Sequence, residues 1–407
     1  MIHHHTIYYG FFYFAILAFW SGQWFVHFLA IVYGKYKLHN RNYKNAVPRE
    51  TPLPGVSILK PLMGEDKNLK ENLETFFTMS YPTYELLFCI EDKDDLALPY
   101  VKELTQKYPS VDFKVFIGGS NVGVNPKVNN MYPGYLAAKY DLVLISDSGI
   151  KMREDTLMDM VDNMTQKVGL VHQIPFCCDR EGFAAAFEKI FFGTFHSRIY
   201  LSADLLGINC HTGMSSLFRK PEMEKFGGLK RFGCYLAEDF FIAKAFSDNG
   251  WKLRVSSNPA LQNSGICDIK NFQARLQRWT KLRIAMVPTT IILEPISECF
   301  VIGALAAWAV NVLFNWDYVV FYLIHILFWF LSDWILLQIV QNGSLPFNKF
   351  EFVIGWLLRE LSGPYLFISA LWNPSIKWRT RLYKLDWGGV AYELSSSEKM
   401  KQLLVSS

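Results

Sequence analysis

The stretch LVLISDSGI, residues 142–150, indicates both the fold of this 407-residue chain and the place of its chemistry. Its first five residues predict a buried strand, Leu142–Ser146, and Asp147, Ser148 and Gly149 follow directly. Ligands of parallel α/β sheets bind beyond the carboxyl ends of the strands. We therefore expect Asp147 at a ligand-binding edge, where Gly149 leaves room for a ligand.

Similar apolar runs occur on both sides of this strand and alternate with helical patterns. The predicted strands are Val56–Leu59, Tyr84–Ile90, Phe113–Ile117, Leu142–Ser146, Leu170–Ile174, Leu217–Phe218 and Leu253–Val255. The helical patterns include Lys67–Phe77, Leu98–Lys107 and Pro126–Lys139. This alternation requires crossover connections, so the sequence predicts an α/β domain with a mostly parallel sheet over residues 34–266.

The sequence before this domain is a predicted membrane anchor, residues 1–33. Ile7–Val32 is almost wholly apolar and long enough to span a bilayer, with Gln23 and His27 as its long polar interruptions. The basic residues that follow are Lys35, Lys37, Arg41, Lys44 and Arg49. By the positive-inside rule, they place the N-terminus outside and the α/β domain in the cytosol.

Three further parts follow the domain. They are an interfacial helix over residues 267–297, membrane helices over residues 298–385 and a tail over residues 386–407. Asp268 can cap the interfacial helix, which is apolar on one side and basic on the other. This pattern is typical of a helix that lies along a membrane surface.

The membrane helices comprise two predicted spans and one ambiguous segment. Cys299–Phe314 and Tyr318–Val340 are predicted spans. The third apolar run, Phe352–Trp372, contains Arg359 and Glu360, which are costly in lipid. This run either spans the bilayer with the charged pair facing protein or water, or forms a bent or re-entrant helix that does not cross.

Composition and cysteine content narrow the class of protein. The chain is 51% hydrophobic and 19% charged, which excludes a disordered chain or a coiled coil. Its net charge of +4 is too small to indicate a nucleic-acid partner. The seven cysteines form no Cys-x-x-Cys pair, so we expect reduced thiols instead of disulfides or a zinc site.

Two more carboxylates and a basic motif have positions suited to a ligand. Asp92 is among the first residues after a predicted strand, where it either meets a nucleotide or forms a solvated turn. Asp239 opens a helical stretch, and such acids are often helix caps. Arg275 and Arg278 share one helix face and precede Trp279. They can bind phosphates bidentately, or simply make an interfacial helix basic.

Several other residues have both a functional and a structural interpretation. Lys127 stands near a helix start, where the helix dipole would help it bind an anion, but it is equally typical of a surface lysine. A phenylalanine series from Phe183 to Phe195 either contacts lipid or forms a core face. His196 follows this series and can touch an acceptor or be structural, and Gly213 can permit backbone approach to a sugar.

Together these residues resemble the signature D, D, D, (Q/R)xxRW of inverting, nucleotide-sugar-dependent glycosyltransferases, and most nearly the ceramide glucosyltransferases. The similar strings are Ile58–Leu62, Asn125–Asn130, Ser146–Ile150, Phe192–His196, Glu238–Phe241 and Trp378–Leu385. The resemblance extends over nearly the whole chain. It implies a GT-A type nucleotide-diphospho-sugar transferase domain that transfers glucose from UDP-glucose to the primary hydroxyl of ceramide with inversion.

The resemblance also implies a role for each site residue. Asp239 would be the general base, and Asp147 would hold a divalent cation, Mg²⁺ or Mn²⁺. The nucleotide sugar would be bound by Pro61, Asp92, Lys127, Asp147, Arg275, Arg278 and Trp279, and the acceptor by His196, Gly213 and Trp279. Gly149 replaces the second aspartate of the Asp-x-Asp motif that is common in the wider superfamily, so the chain supplies one clear metal ligand.

The same resemblance implies a multi-pass protein of Golgi or ER/Golgi membranes with its active site facing the cytosol. Its partners would be ceramide, membrane lipid and UDP-glucose. Two other classes of function compete with this interpretation. One is a processive polysaccharide synthase or polyprenyl-phosphate glycosyltransferase. The other is a membrane protein that binds a nucleotide sugar without catalysis.

Overall fold

The computed structural model describes residues 2–40, 52–265, 267–378 and 381–394, and for residues 2–9 only the backbone. The strands are β1 (Val56–Leu62), β2 (Tyr84–Ile90), β3 (Asp112–Ile117), β4 (Leu142–Ser146), β5 (Ile150–Lys151), β6 (Val168–His172), β7 (Pro175–Cys177), β8 (Ser215–Arg219), β9 (Lys252–Val255), β10 (Ala260–Gln262), β11 (Ile376–Trp378), β12 (Arg381–Leu385) and β13 (Ala391–Glu393).

The helices alternate with the strands of the α/β domain and then form the C-terminal third. They are α1 (Ile2–Lys37), α2 (Leu69–Phe77), α3 (Leu98–Lys107), α4 (Pro126–Ala137), α5 (Thr156–Asn163), α6 (Phe183–Phe191), α7 (Ser197–Leu206), α8 (Lys220–Lys225), α9 (Glu238–Asp248), α10 (Ile269–Met286), α11 (Thr290–Ile296), α12 (Cys299–Phe314), α13 (Tyr318–Gln341) and α14 (Lys349–Trp372). Of the basic residues that follow the predicted anchor, Arg41, Lys44 and Arg49 lie outside the described residues.

A seven-stranded sheet forms the centre of the α/β domain. Its order is β3-β2-β1-β4-β8-β6-β9, and only β8 runs antiparallel to its neighbours. Apolar clusters cover both faces of the sheet, as the near-continuous apolar sequence of its central strands requires. This sheet, with long apolar helices before and after the domain in the sequence, confirms the predicted α/β fold class.

Some predicted boundaries differ from the structure. The strand predicted over Leu170–Ile174 is β6, which starts earlier and ends at His172, and α4 ends at Ala137 instead of Lys139. A second sheet of three short strands, in the order β5-β10-β7, was not predicted. Its two or three residues per strand are too few to show a period in sequence.

Among the described residues, two helices are long and apolar enough to span a membrane, over Gly10–Lys37 and Tyr318–Gln341. The helix α12 has 16 residues and is therefore only about 24 Å long, shorter than the roughly 30 Å of a hydrocarbon core. It continues from α11 across a bend of 79°. Cys299–Phe314 is therefore not the plain span that its hydropathy predicts, but part of a broken span or re-entrant loop.

The charged pair of α14 faces protein. Arg359 and Glu360 are 5% and 2% exposed, and they pair with each other. Arg359 also contacts Asp333 of α13 at 2.9 Å, and His27 of α1 lies 3.3 Å from the same carboxylate. Three helices are thereby joined through polar groups, which agrees with the interpretation that this pair avoids lipid. It also accounts for His27 in the apolar run.

The C-terminal residues return to the α/β domain. The helix α14 ends at Trp372, and residues 376–378 and 381–385, which were predicted to belong to the membrane helices, form the strands β11 and β12 instead. These strands lie against α10 in a small apolar cluster that includes Leu282 and Tyr383. The predicted cap of α10 is confirmed, because Asp268 accepts hydrogen bonds from the backbone N–H groups of Lys270 and Asn271.

Candidate active site

Two adjoining cavities lie at the carboxyl edge of the central sheet. The first, which we call the polar cleft, has a volume of about 870 Å³, and the second, which we call the apolar chamber, has about 570 Å³. The residues that line both are Lys127, Asp147, Met214, Arg275 and Trp378. A ligand in the polar cleft and a ligand in the apolar chamber would therefore meet at these residues.

The polar cleft contains the residues that the sequence predicts for a nucleotide. Pro61 is at the end of β1, Asp92 follows β2, and Asp147 follows β4. Since parallel strands end at one edge, the topology alone brings the three together. Asp92 also accepts a hydrogen bond from the backbone of Asp94 at 3.0 Å, so it shapes a turn while it faces the cleft.

The apolar chamber contains the residues predicted for the acceptor and for catalysis. Asp239, His196, Gly213, Arg278 and Trp279 line it. All ten predicted site residues thus line one cavity or both. The two arginines of the RxxRW motif separate, however, because Arg275 faces both cavities whereas Arg278 faces only the chamber.

Asp239 is held by two backbone groups at the start of α9. Its Oδ2 accepts a hydrogen bond from the Gly213 N–H at 2.6 Å, and its Oδ1 accepts one from the Phe240 N–H at 2.9 Å. Burial raises the pKa of Asp239 to about 6, and the charge of Glu238 contributes further. A carboxylate with this pKa is ionised at neutral pH yet basic enough to accept a proton.

Gly213 packs directly against Asp239, whereas the sequence suggests only that its backbone can approach a sugar. A Cβ at this position would lie 2.7 Å from the Cβ of Asp239 and 3.0 Å from its Oδ2. Such separations are below ordinary van der Waals contact. The glycine therefore permits close approach of the Asp239 side chain, and its N–H fixes the orientation of that carboxylate.

Lys127 joins the acidic groups of the two cavities. Its Nζ lies 2.8 Å from Asp147 Oδ1 and 3.2 Å from Glu238 Oε1. Burial opposes the ammonium charge, but Asp147 and Glu238 outweigh it and hold the pKa of Lys127 above its usual range. Lys127 is thus a charged lysine at the junction, and not the ordinary surface lysine of the alternative interpretation.

The start of α4 explains how Lys127 reaches this position. The side chain of Asn125 caps the helix by accepting from the N–H groups of Lys127 and Val128. The amide of Asn125 also donates to Glu238 Oε2 at 2.8 Å, which ties α4 to α9. A single capping residue therefore positions both partners of the Lys127–Glu238 pair.

Aromatic rings surround the arginines of α10. Arg275 lies over the Trp279 ring, 4.6 Å from its centre, and its Nη1 donates to Gln262 Oε1 at 2.9 Å. Arg278 lies over Trp378 of β11 at 5.5 Å. Cation–π contacts of this kind hold a guanidinium group in place without neutralising it. Both arginines therefore keep their charge, Arg275 beside both cavities and Arg278 beside the apolar chamber.

His196 stacks between two aromatic rings in the apolar chamber. It lies 5.6 Å from Trp279 and 5.3 Å from Tyr200, with nearly parallel planes. Burial lowers the pKa of His196 to about 3, so the ring is neutral at physiological pH. Its Nδ1 is buried and has no hydrogen-bond partner within the described residues. A π-helical turn, Phe192–His196, aims this ring, and such turns often occur at functional sites.

The phenylalanine series before His196 divides between core and partly exposed positions. Phe187 and Phe192 are fully buried, whereas Phe183, Phe191 and Phe195 are partly exposed and Phe195 lines the apolar chamber. The core interpretation therefore holds for Phe187 and Phe192 and not for the whole series.

The residues around Asp147 fit a cation that arrives with a diphosphate. No three His, Cys, Asp or Glu side chains converge to hold a metal by themselves within the described part of the chain. Asp147 faces the cleft, and a Cβ at Gly149 would meet only Ser264 Oγ, at 3.5 Å, so there is space beside the carboxylate. Magnesium is commonly bound by one or two carboxylates together with substrate phosphates.

The structure adds two candidate site residues that were not predicted from the sequence. Tyr383 of β12 is fully buried and lines the polar cleft, and its hydroxyl makes no hydrogen bond of good geometry with the described residues. Burial raises the pKa of this hydroxyl, and the charge of Arg381 partly opposes the rise. Lys60 is also fully buried, and its Nζ donates to the backbone oxygen of Asp147 at 2.7 Å. The signal for both was their place in the strings Ile58–Leu62 and Trp378–Leu385.

The site thus combines carboxylates at the edge of a mostly parallel sheet with a helix that carries two arginines, in a chain with helices long enough to span a membrane. The sequence model of Glycosyl transferase family 21 matches residues 22–391, and the chain belongs to this family. The predicted resemblance is therefore confirmed at the level of the family.

Curated relatives agree with this assignment. The chain is 47% identical to Ceramide glucosyltransferase 3 of Caenorhabditis elegans, over 89% of this chain and 79% of the relative. It is 44% identical to Ceramide glucosyltransferase 1 of the same organism, over 94% and 81%. A mannosyltransferase from Pyrobaculum calidifontis, solved with GDP-Man and Mn²⁺, superposes with a TM-score of 0.48 at 15% identity, over 88% of this chain and 96% of that chain.

Proposed function

We propose that this protein transfers glucose from UDP-glucose to the primary hydroxyl of ceramide with inversion, giving β-glucosylceramide and UDP. The observation that supports this most is the junction of the two cavities. Lys127, Asp147 and Arg275 line both cavities, so a donor diphosphate bound by them in the polar cleft would lie beside the Asp239 carboxylate in the apolar chamber. An apolar chamber next to a nucleotide site suits a lipid acceptor.

In this reaction Asp239 accepts the proton of the ceramide hydroxyl while that oxygen attacks the anomeric carbon of glucose. Attack occurs opposite the bond to UDP, which breaks as the new bond forms, and the configuration inverts. A positioned general base contributes roughly 10²–10⁴-fold to the rate. The two backbone hydrogen bonds to Asp239 fix its orientation, so less is lost in aligning it.

Positive groups at the junction would stabilise the leaving diphosphate. Lys127 and Arg275 reach both cavities, and their charges are already in place before the reaction. Preorganised charges of this kind are effective because they need not reorient as negative charge develops. A divalent cation, Mg²⁺ or Mn²⁺, would be held by Asp147 together with the donor and would neutralise part of the same charge.

We place the enzyme in Golgi or ER/Golgi membranes with this site on the cytosolic side. Lys35 and Lys37 end α1 at the boundary with the α/β domain, as the positive-inside rule expects of a cytosolic flank. The seven cysteines are all free thiols, which agrees with a reducing compartment.

The test compares Asp239→Asn with Asp248→Asn, an exposed aspartate at the other end of α9 whose partner is Lys244. Purified full-length chains in lipid nanodiscs receive ceramide, UDP-glucose and Mg²⁺, and glucosylceramide is measured by mass spectrometry. Asp239→Asn should lose at least 10²-fold in turnover yet bind UDP normally, whereas Asp248→Asn should match the unmodified chain. Turnover retained by Asp239→Asn, or its loss of UDP binding, would contradict the assignment of the base.

The same assay separates the competing functions. The polysaccharide synthase and polyprenyl-phosphate transferase are not favoured by the family and its relatives, nor is a non-catalytic binding protein. Dolichyl phosphate offered in place of ceramide should give no glycolipid. Product from dolichyl phosphate but not from ceramide would overturn the proposal.

A further inference from the structure

The membrane helix α1 forms part of the apolar chamber. Phe19, Gln23 and Val26 line the same cavity as Asp239, although they belong to the apolar segment that the sequence predicts as an anchor. Their spacing of four and three residues places them on one face of the helix. A membrane anchor needs only apolar side chains, so the polar side chain of Gln23 at the catalytic cavity indicates that α1 has a second role.

The polar residues of α1 divide between two faces. Trp20 and Trp24 donate hydrogen bonds to His325 of α13, and His27 lies against Asp333 of the same helix. These contacts use one face of α1 for packing. Gln23 lies beside that face, pairs with none of the described residues and borders the chamber instead.

The chamber wall also reaches the outer surface next to α1. Ile199 of α7 and Leu293 of α11 line the chamber, and they are 37% and 48% exposed. Both are apolar and stand beside helices of the membrane part, where an exposed apolar side chain is stable in contact with lipid. Exposed apolar side chains of α7 and α11 thus border the same cavity that Phe19 and Val26 of α1 line.

We propose that α1 is a wall of the acceptor site, that the lipid acceptor enters the chamber from the bilayer between α1 and α11, and that the carboxamide of Gln23 hydrogen-bonds the amide of that acceptor. A carboxamide offers both a donor and an acceptor, which is the complement of a secondary amide. A polar group within an apolar span is costly unless it finds a partner, and a bound acceptor supplies one. This inference rests on the proposed function, because it takes the acceptor to be ceramide.

The first experiment replaces Gln23 by Leu and uses Ser21→Leu, an exposed residue on α1 outside the chamber, as the matched control. Full-length chains in nanodiscs are assayed over a range of ceramide and UDP-glucose concentrations. Loss of one hydrogen bond should raise the KM for ceramide about 3- to 10-fold in Gln23→Leu, with the KM for UDP-glucose unchanged. Ser21→Leu should leave both values unchanged.

An acceptor analogue tests which group Gln23 binds. N-methylceramide lacks the amide N–H, so the unmodified chain should use it less well than ceramide, and Gln23→Leu should lose most of this preference. An equal KM for ceramide in Gln23→Leu and Ser21→Leu would overturn the inference and leave the proposed function intact. Failure of the unmodified chain to glucosylate ceramide would instead overturn the proposed function.

A second measurement is independent of any effect of the substitution on folding. A photoreactive ceramide is added to the unmodified chain in nanodiscs, and the labelled peptides are identified by mass spectrometry. Label within residues 19–26 that excess ceramide removes would support the inference. Label confined to other membrane helices would overturn it.

Discussion

Substitution of Gly213 by Ala tests the geometry of the site with a single methyl group. The backbone at Gly213 is not in the left-handed region, so alanine is conformationally allowed there. Its Cβ would lie 2.7 Å from the Asp239 Cβ, whereas carbon atoms favour about 3.5–4.0 Å. Asp239 must therefore move by about 1 Å, and its 2.6 Å hydrogen bond from the Gly213 N–H must lengthen.

A displacement of about 1 Å at a reacting group costs on the order of 10²-fold in rate. We therefore expect Gly213→Ala to lower kcat roughly 10²-fold with little change in the KM for UDP-glucose, since the polar cleft is not touched. The assay is glucosylceramide formation by the purified chain in nanodiscs, with thermal unfolding measured in parallel. The control is Gly343→Ala, where a Cβ meets no atom within 4 Å. A kcat for Gly213→Ala within twofold of the control, in a folded chain, would refute the reasoning.

Three further outcomes follow from the contacts described. Because Asp239 must be ionised to accept a proton and its pKa is about 6, kcat/KM should fall about tenfold per pH unit below pH 6 and level off above it; a profile flat to pH 5 would contradict this. Tyr383→Phe removes the buried hydroxyl of a residue that lines the polar cleft, so titration of the initial rate should show the KM for UDP-glucose raised about 2- to 10-fold and kcat nearly unchanged. Arg359→Leu leaves Glu360 buried without its ion-pair partner and Asp333 with only Arg198 and His27, and it should lower the unfolding free energy by about 3–5 kcal/mol, seen as an earlier thermal transition; an unchanged transition would show that the pair is not needed.

The sequence predicted the central sheet well because its strands are buried on both faces. Leu142–Ser146 and Tyr84–Ile90 are mostly apolar runs that acidic residues follow directly, and both match strands of the structure. Their carboxyl ends then place Asp92 and Asp147 together by topology alone. Asp268 was also recognisable, because its capping depends only on neighbours in the chain.

The remaining features depend on contacts distant in sequence. Hydropathy records the composition of a helix and not its direction, so the 79° bend between α11 and α12 has no signal in it. Tyr383 looks like any aromatic residue of a short strand until α10 brings that strand to the polar cleft. In the sequence, Gln23 likewise appears only as a polar residue within an apolar run. Its orientation is set by the packing of α1 on α13, which the sequence does not show.

The polar contacts that join α1, α13 and α14 have a consequence for how the protein is made. His27 leaves the ribosome early, whereas its partner Asp333 follows only after the whole α/β domain. An aspartate alone at the centre of a bilayer costs about 2.5–3.5 kcal/mol. Arg359 of α14 supplies the charged partner of Asp333, and His27 of α1 completes its polar contacts, so these contacts form only when helices from both ends of the chain meet around a domain that has been synthesised in between.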